Sequence, residues 1–203
     1  MPAEEMPLLA TADFAANGHH GWSFTDANAF RIVETPKGQA LSIEAPAKYQ
    51  PKFRSPLAIA WWDAGGQVAD FTLTVQCKST VKHNDAHRDL CLFFGKQAAE
   101  KFYYVHFARA ADAHAHSVFL VNGAPRASIA KERTQGIEWH DDWHTLRIVR
   151  TITDGAIAVY FDDLTKPIMK AADRTFLSGP VGVGTFDDLG WFRSVELRGH
   201  RPA

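Results

Sequence analysis

Polar and apolar residues alternate along almost the whole chain. Phe71, Leu73, Val75 and Cys77 are interleaved with Thr72, Thr74 and Gln76, which is the two-residue period of a strand that buries one face. The same alternation runs through 29–34, 40–45, 89–95, 102–108, 117–122, 144–152, 156–163, 181–186 and 191–197. The pattern predicts a protein built of many short strands. Turn chemistry separates them, at Pro36-Lys37-Gly38, Asp63-Ala64-Gly65-Gly66, Asn122-Gly123 and Asp154-Gly155. An Asp-Gly pair between two alternating runs suits a tight hairpin whose turn needs positive φ. Helical periodicity is confined to 96–101 and 108–115, each long enough for a turn or two. No linker, low-complexity tract or internal repeat divides the chain. It therefore reads as one all-β domain over 1–203, a sandwich of two antiparallel sheets, with 1–11 as an irregular N-terminal segment.

Composition narrows the partners. A net charge of −1, from 22 basic and 23 acidic residues, leaves no cationic excess for nucleic acid or anionic lipid. Neither nucleic acid nor a membrane is an expected partner, and no apolar run approaches the roughly 18 residues of a spanning helix. The oligomeric state is left open. The start, MPAEEMPLLATADF, lacks the charged and then apolar stretches of a signal peptide, so none is expected in the sequence as read. Only Cys77 and Cys91 are present, which excludes a disulfide-dense scaffold and a four-cysteine zinc site. If their strands formed a hairpin centred on Asn84-Asp85 the two would face one another and could bridge; otherwise they are buried free thiols. What stands out is the aromatic content of 12% and the ten histidines against four tyrosines.

The order of several segments carries a resemblance. Gly21-Trp22-Ser23-Phe24, the F-R-S-P run at 53–56, V-A-D-F-T-L-T-V at 68–75, W-H-T-L-R-I-V-R at 143–150, D-G-A-I-A-V-Y-F-D-D at 154–163 and the glycine-rich and aromatic end at 179–197 together resemble concanavalin A-like jelly rolls. Within these the chain is similar to the laminin-G-like group that includes the bacterial 3-keto-disaccharide hydrolases, which are glycosyl hydrolase-like proteins. The resemblance implies a jelly-roll sandwich with a saccharide as partner, held in a groove on the concave outer face of one sheet. It implies either a carbohydrate-active enzyme or a non-catalytic, lectin-like module. The laminarinase pattern E-x-D-x-x-E, which sets two carboxylates on one strand face for retaining hydrolysis, is missing. So are the Q-x-H and Y-x-K-x-G-x-Y strands of jelly-roll alginate lyases, although a lyase-like use of Tyr and His stays open.

Three local motifs dissolve on inspection. His87-Arg88-Asp89-Leu90 copies the start of a kinase catalytic loop, but Phe94 stands where that motif needs Asn. His140 and His144 have the spacing of a zinc helix, yet a strand pattern follows them. Gly179, Gly182 and Gly184 fall inside a β run with no helix after it to bind phosphate.

The strand 102–107 is the more informative one. If Tyr103, Val105 and Phe107 face the core, Tyr104 and His106 stand side by side on the other face. An imidazole and a phenol so placed are a base and an acid for elimination or hydrolysis, or else a surface pair. Asp89 on the preceding strand is positioned to orient an imidazole, which makes His106, Tyr104 and Asp89 the catalytic candidates. His87, His116, Arg126 and Trp139 are the substrate-binding candidates. Trp143, by contrast, is expected in the core. His87, His106, His114 and His116 lie in three consecutive strand segments, a density that suits a transition ion, but no spacing is diagnostic and no metal or cofactor is expected. The pairs Asp162-Asp163 and Asp187-Asp188 end strands, where acidic groups either solvate turns or hold calcium.

Overall fold

A computed structural model describes residues 6–15, 18–82 and 88–202. Two antiparallel sheets face each other, with two single-turn 3-10 helices as the only helical elements among the described residues. The first sheet contains β1 (Leu8–Ala12), β3 (Phe30–Thr35), β4 (Gly38–Ile43), β6 (Phe71–Ser79), β11 (Ala130–Arg133), β12 (His144–Arg150), β13 (Ala156–Phe161), β14 (Met169–Ala172) and β16 (Gly190–Gly199). Its order is β11-β14-β13-β12-β6-β16-β4-β3, with β1 also on β16. The second contains β2 (Trp22–Phe24), β5 (Ala58–Trp62), β7 (Asp89–Ala98), β8 (Lys101–Ala108), β9 (Ser117–Asn122), β10 (Ala127–Ser128) and β15 (Gly182–Thr185). Its order is β10-β9-β8-β7-β15-β5-β2. No helix among the described residues is long and apolar enough to cross a membrane.

Strand parity places the core. Leu73, Val75 and Cys77 of β6, Leu146 and Ile148 of β12, and Val195 and Leu197 of β16 point inward from one sheet. They meet Leu90, Leu92 and Phe94 of β7 and Tyr103, Val105 and Phe107 of β8 in one buried cluster. The inward residues of β7 and β8 are register partners, Leu90 with Phe107, Leu92 with Val105 and Phe94 with Tyr103. Cross-strand pairing therefore reinforces inter-sheet packing. The Asp154-Gly155 hairpin forms as expected, with β12 and β13 paired and Gly155 at φ +74°. Arg150 beside it is 1% exposed, donates to the carbonyls of Gly155 and Phe176, and lies over the Tyr103 ring. Tyr103 in turn donates to Asp173, and burial pushes its phenol up to about 12. This network ties the hairpin to β8 without exposing a buried charge.

Three expectations change. The segment 1–11 is not irregular throughout, because Leu8–Ala12 pairs with β16. Residues 96–101 are not helical, 96–98 continuing β7, 99–100 forming a turn and 101 opening β8, and after residue 108 ends β8 the chain to 115 is mostly bends. Cys77 and Cys91 do not face each other in a hairpin: β6 pairs with β12 and β16, whereas β7 pairs with β8 and β15. Both are buried free thiols, Cys77 in the inter-sheet core and Cys91 on the opposite face of its sheet.

Candidate functional site

The outer face of the seven-stranded sheet is itself apolar and buried. Trp61 of β5, Cys91 and Phe93 of β7, Phe102 and Tyr104 of β8 and Phe119 of β9 form a second layer of buried side chains. Lys96 lies over Trp61 at 4.9 Å and Arg126 over Phe119 at 5.0 Å, laying long cationic side chains across the rings. At one end of this layer the strand positions turn polar, with Asp89, His106, Ser117 and Thr185 all buried. A cavity of about 410 Å³ opens there.

Asp89 and His106 form the floor of that cavity and are 1% and 3% exposed. The Nδ1 of His106 lies 3.2 Å from the carbonyl oxygen of His114. A carbonyl only accepts, so Nδ1 carries a hydrogen, and in the neutral tautomer this sets, Nε2 presents its lone pair. That lone pair faces another acceptor: Nε2 stands 3.0 Å from Asp89 Oδ2. The two are close enough for an ion pair but off the hydrogen-bond direction, and Nε2 has no hydrogen-bond partner among the described residues. The other carboxylate oxygen is well held. Asp89 Oδ1 accepts from Thr185 Oγ1 at 2.9 Å and from the Phe186 amide at 3.3 Å, with the Cys91 thiol at 3.8 Å. Burial pushes the Cys91 thiol well up, and the Asp89 charge adds to the shift. The ligand-capable atoms of Asp89, Cys91 and His106 all lie within 4.8 Å of one another.

The walls are charged and aromatic. Arg126 and Arg54 both set their guanidinium groups over the Phe186 ring, at 4.2 and 5.6 Å, and the Arg126 amide donates to the Arg54 carbonyl at 3.3 Å. Asp112, His114 and Asp187 complete the lining. Tyr104 stands behind the wall. It is fully buried, its hydroxyl accepts from Arg126 Nη1 at 2.9 Å, and desolvation pushes its phenol far above the ordinary tyrosine value. A phenol so placed orients Arg126 and does not touch the cavity.

Of the residues singled out from sequence, Asp89, His106 and Arg126 come together at the cavity, with Tyr104 adjoining. His87 lies outside the described residues. His116 does not reach the cavity. Its φ is +51°, so the strand alternation that set it beside His114 reverses there, and its buried ring bonds Thr134 Oγ1 at 2.8 Å. Burial, with Arg133 nearby, lowers its pKa to about 4. Trp139 is a core residue and not a sugar platform: it is 4% exposed, donates Nε1–H to the Phe107 carbonyl at 3.3 Å, and packs edge-on against His144 and Phe161. Trp143, expected in the core, is only half-buried beside Trp191, with Arg193 over its ring. The strand-end acids serve turns: Asp162 accepts from His144 Nδ1 and the Thr145 amide, Asp163 from Thr165, and Asp188 from the Asp89 amide. His114 and Asp187, named from the sequence only as part of the histidine cluster and as a strand-end acid, also line the cavity, whereas Arg54 and Phe186 were not singled out. Arg54 and Phe186-Asp187 sit in the segments that carry the family resemblance, but nothing in their spacing marks them as converging.

No protein-family model and no curated protein sequence matches the chain. Solved structures do. The carbohydrate-binding module CBM66 from Bacillus subtilis superposes with a TM-score of 0.62 at 16% identity, covering 88% of this chain and 96% of that one. A protein of unknown function with a galectin-like fold, also from Bacillus subtilis, gives 0.63 at 12% identity, covering 97% and 98%. Domain 4 of AbnA, an extracellular GH43 arabinanase from Geobacillus stearothermophilus, solved in complex with arabinotriose, gives 0.58 at 10% identity, covering 98% and 95%. At such identities the likeness is one of fold, and this chain shares the lectin-type, concanavalin A-like jelly roll.

Proposed function

We propose that the protein is a carbohydrate-active domain that holds a saccharide in the cavity on the outer face of its seven-stranded sheet. One observation carries the proposal: the cavity brings two arginines, aspartates, histidines and the Phe186 ring to one place on a sheet face whose other buried side chains are mostly apolar. Sugars need that combination. Hydroxyls are recognised by charged groups that donate and accept in fixed directions, while the apolar face of a pyranose or furanose packs on an aromatic ring. Arg126 is the best-ordered donor, clamped between the Tyr104 hydroxyl and the Phe186 ring. The structures of like fold include a carbohydrate-binding module and an arabinanase domain in complex with arabinotriose, which supports the same ligand class.

Binding and catalysis divide on one further observation. The buried Asp89–His106 pair at the cavity floor is costly to keep polar, and such cost is common where proton transfer is performed. On the catalytic reading His106 and Asp89 act on the bound sugar, Arg126 holds it, and Tyr104 is a positioning residue. The test is a panel of neutral and uronic-acid oligosaccharides, scored for binding by calorimetry and for new products by mass spectrometry. Binding by the wild-type protein that Arg126→Ala weakens supports a saccharide site, and product release abolished by His106→Ala adds catalysis. Binding without product makes the protein a lectin-like module. A wild-type protein that neither binds nor alters any member of the panel overturns the proposal.

A further inference from the structure

We propose that Asp89, Cys91 and His106 form a binding site for one zinc ion at the floor of the cavity. The inference does not need a saccharide to bind, and with the ion in place His106 and Asp89 are its ligands rather than groups that act directly on a sugar; it rests on three features of the same few atoms. The donor set is the first. A carboxylate, a thiol sulfur and an imidazole nitrogen, with ligand atoms all within 4.8 Å of one another, are the three ligand types of protein zinc sites.

The second is the orphaned nitrogen. His106 Nδ1–H is spent on the His114 carbonyl, so Nε2 points its lone pair into a space whose other occupant is Asp89 Oδ2, at 3.0 Å and off the hydrogen-bond axis. In the neutral tautomer these are two acceptors side by side in a buried site, and they repel each other unless a cation, a proton or a metal ion, lies between them. Ligand atoms about 2.0–2.1 Å from a tetrahedral ion stand about 3.3 Å apart and point past one another toward the metal, and the 3.0 Å separation off the hydrogen-bond axis fits that arrangement. Metal-bound histidines also typically donate their second ring N–H to a carbonyl or carboxylate, as His106 does.

The third is the surrounding support. Asp89 Oδ1 is held by Thr185 Oγ1 and the Phe186 amide, which leaves Oδ2 for the ion. Cys91 and His106 are register partners on adjacent strands, so the sheet fixes their separation. Coordination releases the thiol proton to solvent, and a carboxylate with a thiolate then neutralises the dication in the buried site. Three protein ligands leave a fourth position, and since Asp89 and His106 line the cavity that position faces it, open to water or to a ligand hydroxyl.

The experiment titrates chelator-stripped protein with Zn²⁺ by calorimetry and with Co²⁺ by absorption spectroscopy. The expected result is one ion per chain, with a thiolate-to-cobalt charge-transfer band and intense tetrahedral d–d bands. His106→Ala should lower affinity more than about 100-fold, and Cys91→Ser should abolish the charge-transfer band, whereas Cys77→Ser, in the other buried layer, should change neither. Thr185→Val keeps all three ligands and should cost about 10–100-fold through loss of the bond to Asp89 Oδ1; it remains a test if a ligand variant fails to fold. No stoichiometric binding, or binding that survives both His106→Ala and Cys91→Ser, would overturn the site.

Discussion

Two buried histidines among the described residues stand against aspartates, one in each sheet, and the two pairs are built to opposite specifications. In the first sheet His144 Nδ1 donates to Asp162 Oδ2 at 2.7 Å, and Nε2 accepts from the His140 amide at 3.1 Å. Its ring also packs on Trp139 and Phe161, and Asp162 reaches solvent. Every polar atom of that imidazole is satisfied, and its work is to lock the turn that enters β12. In the second sheet His106 is equally buried, but only Nδ1 is satisfied and Nε2 confronts a carboxylate that is itself 1% exposed. The same two residue types give a finished structural bond in one place and an unfinished one in the other. An unsatisfied polar contact in a buried site costs stability, and its retention at a cavity floor is the mark of a group kept for a ligand.

Breaking the two pairs should separate their roles. The largest effect expected is on ligand binding: Asp89→Asn should weaken both zinc and saccharide binding more than about tenfold, while Asp162→Asn leaves both unchanged in the same calorimetric titrations. Arg126→Ala comes next, lowering saccharide affinity by about 10–100-fold, the worth of a hydrogen bond to a charged donor.

Stability should follow the reverse order. His116 is a third buried histidine, shifted down to about 4 by burial and by Arg133. Its neutral form is favoured in the folded state, so the unfolded chain binds the proton first. The resulting stability is complete above the unfolded value near 6.5 and is lost as pH falls from there toward 4, by up to about 3 kcal/mol. Urea unfolding at several pH values should show that slope, and His116→Asn, which tolerates the positive φ, should flatten it. His144→Ala should cost about 2 kcal/mol through its two hydrogen bonds and its packing, whereas His106→Ala should cost less, since it gives up one hydrogen bond rather than two. Equal losses at the two positions, read by urea midpoint, would erase the distinction between the pairs. Tyr104→Phe is the mildest change, reducing saccharide affinity only a few-fold because Arg126 keeps its stacking on Phe186.

The sandwich was legible because period-two alternation is a direct imprint of one buried face, and the Asp154-Gly155 hairpin because few other residues suit a positive-φ turn. Part of the candidate site was legible for the same reason: Tyr104 and His106 on one face of β8, with Asp89 reachable from β7, follow from parity alone. What parity missed has physical causes. The run from Phe102 to Phe107 is buried on both faces, so its apolar residues do not mark which side is the core. His116 breaks the alternation through its left-handed backbone, and that is invisible in residue type. Trp139 and Trp143 exchanged their expected places because a tryptophan at a strand entrance packs inward or outward according to where the turn leads it. Cys91 was read only as a bridge or a buried free thiol, since β7 and β8 had first to be paired before its place beside Asp89 and His106 could be seen.

The most direct test of the cavity as the working site is saccharide binding on a glycan array by wild-type protein, Arg126→Ala and His144→Ala in parallel. The expected result is a defined set of bound glycans that disappears in Arg126→Ala and persists in His144→Ala. Binding retained by Arg126→Ala, or an array on which the wild-type protein binds nothing, would contradict it.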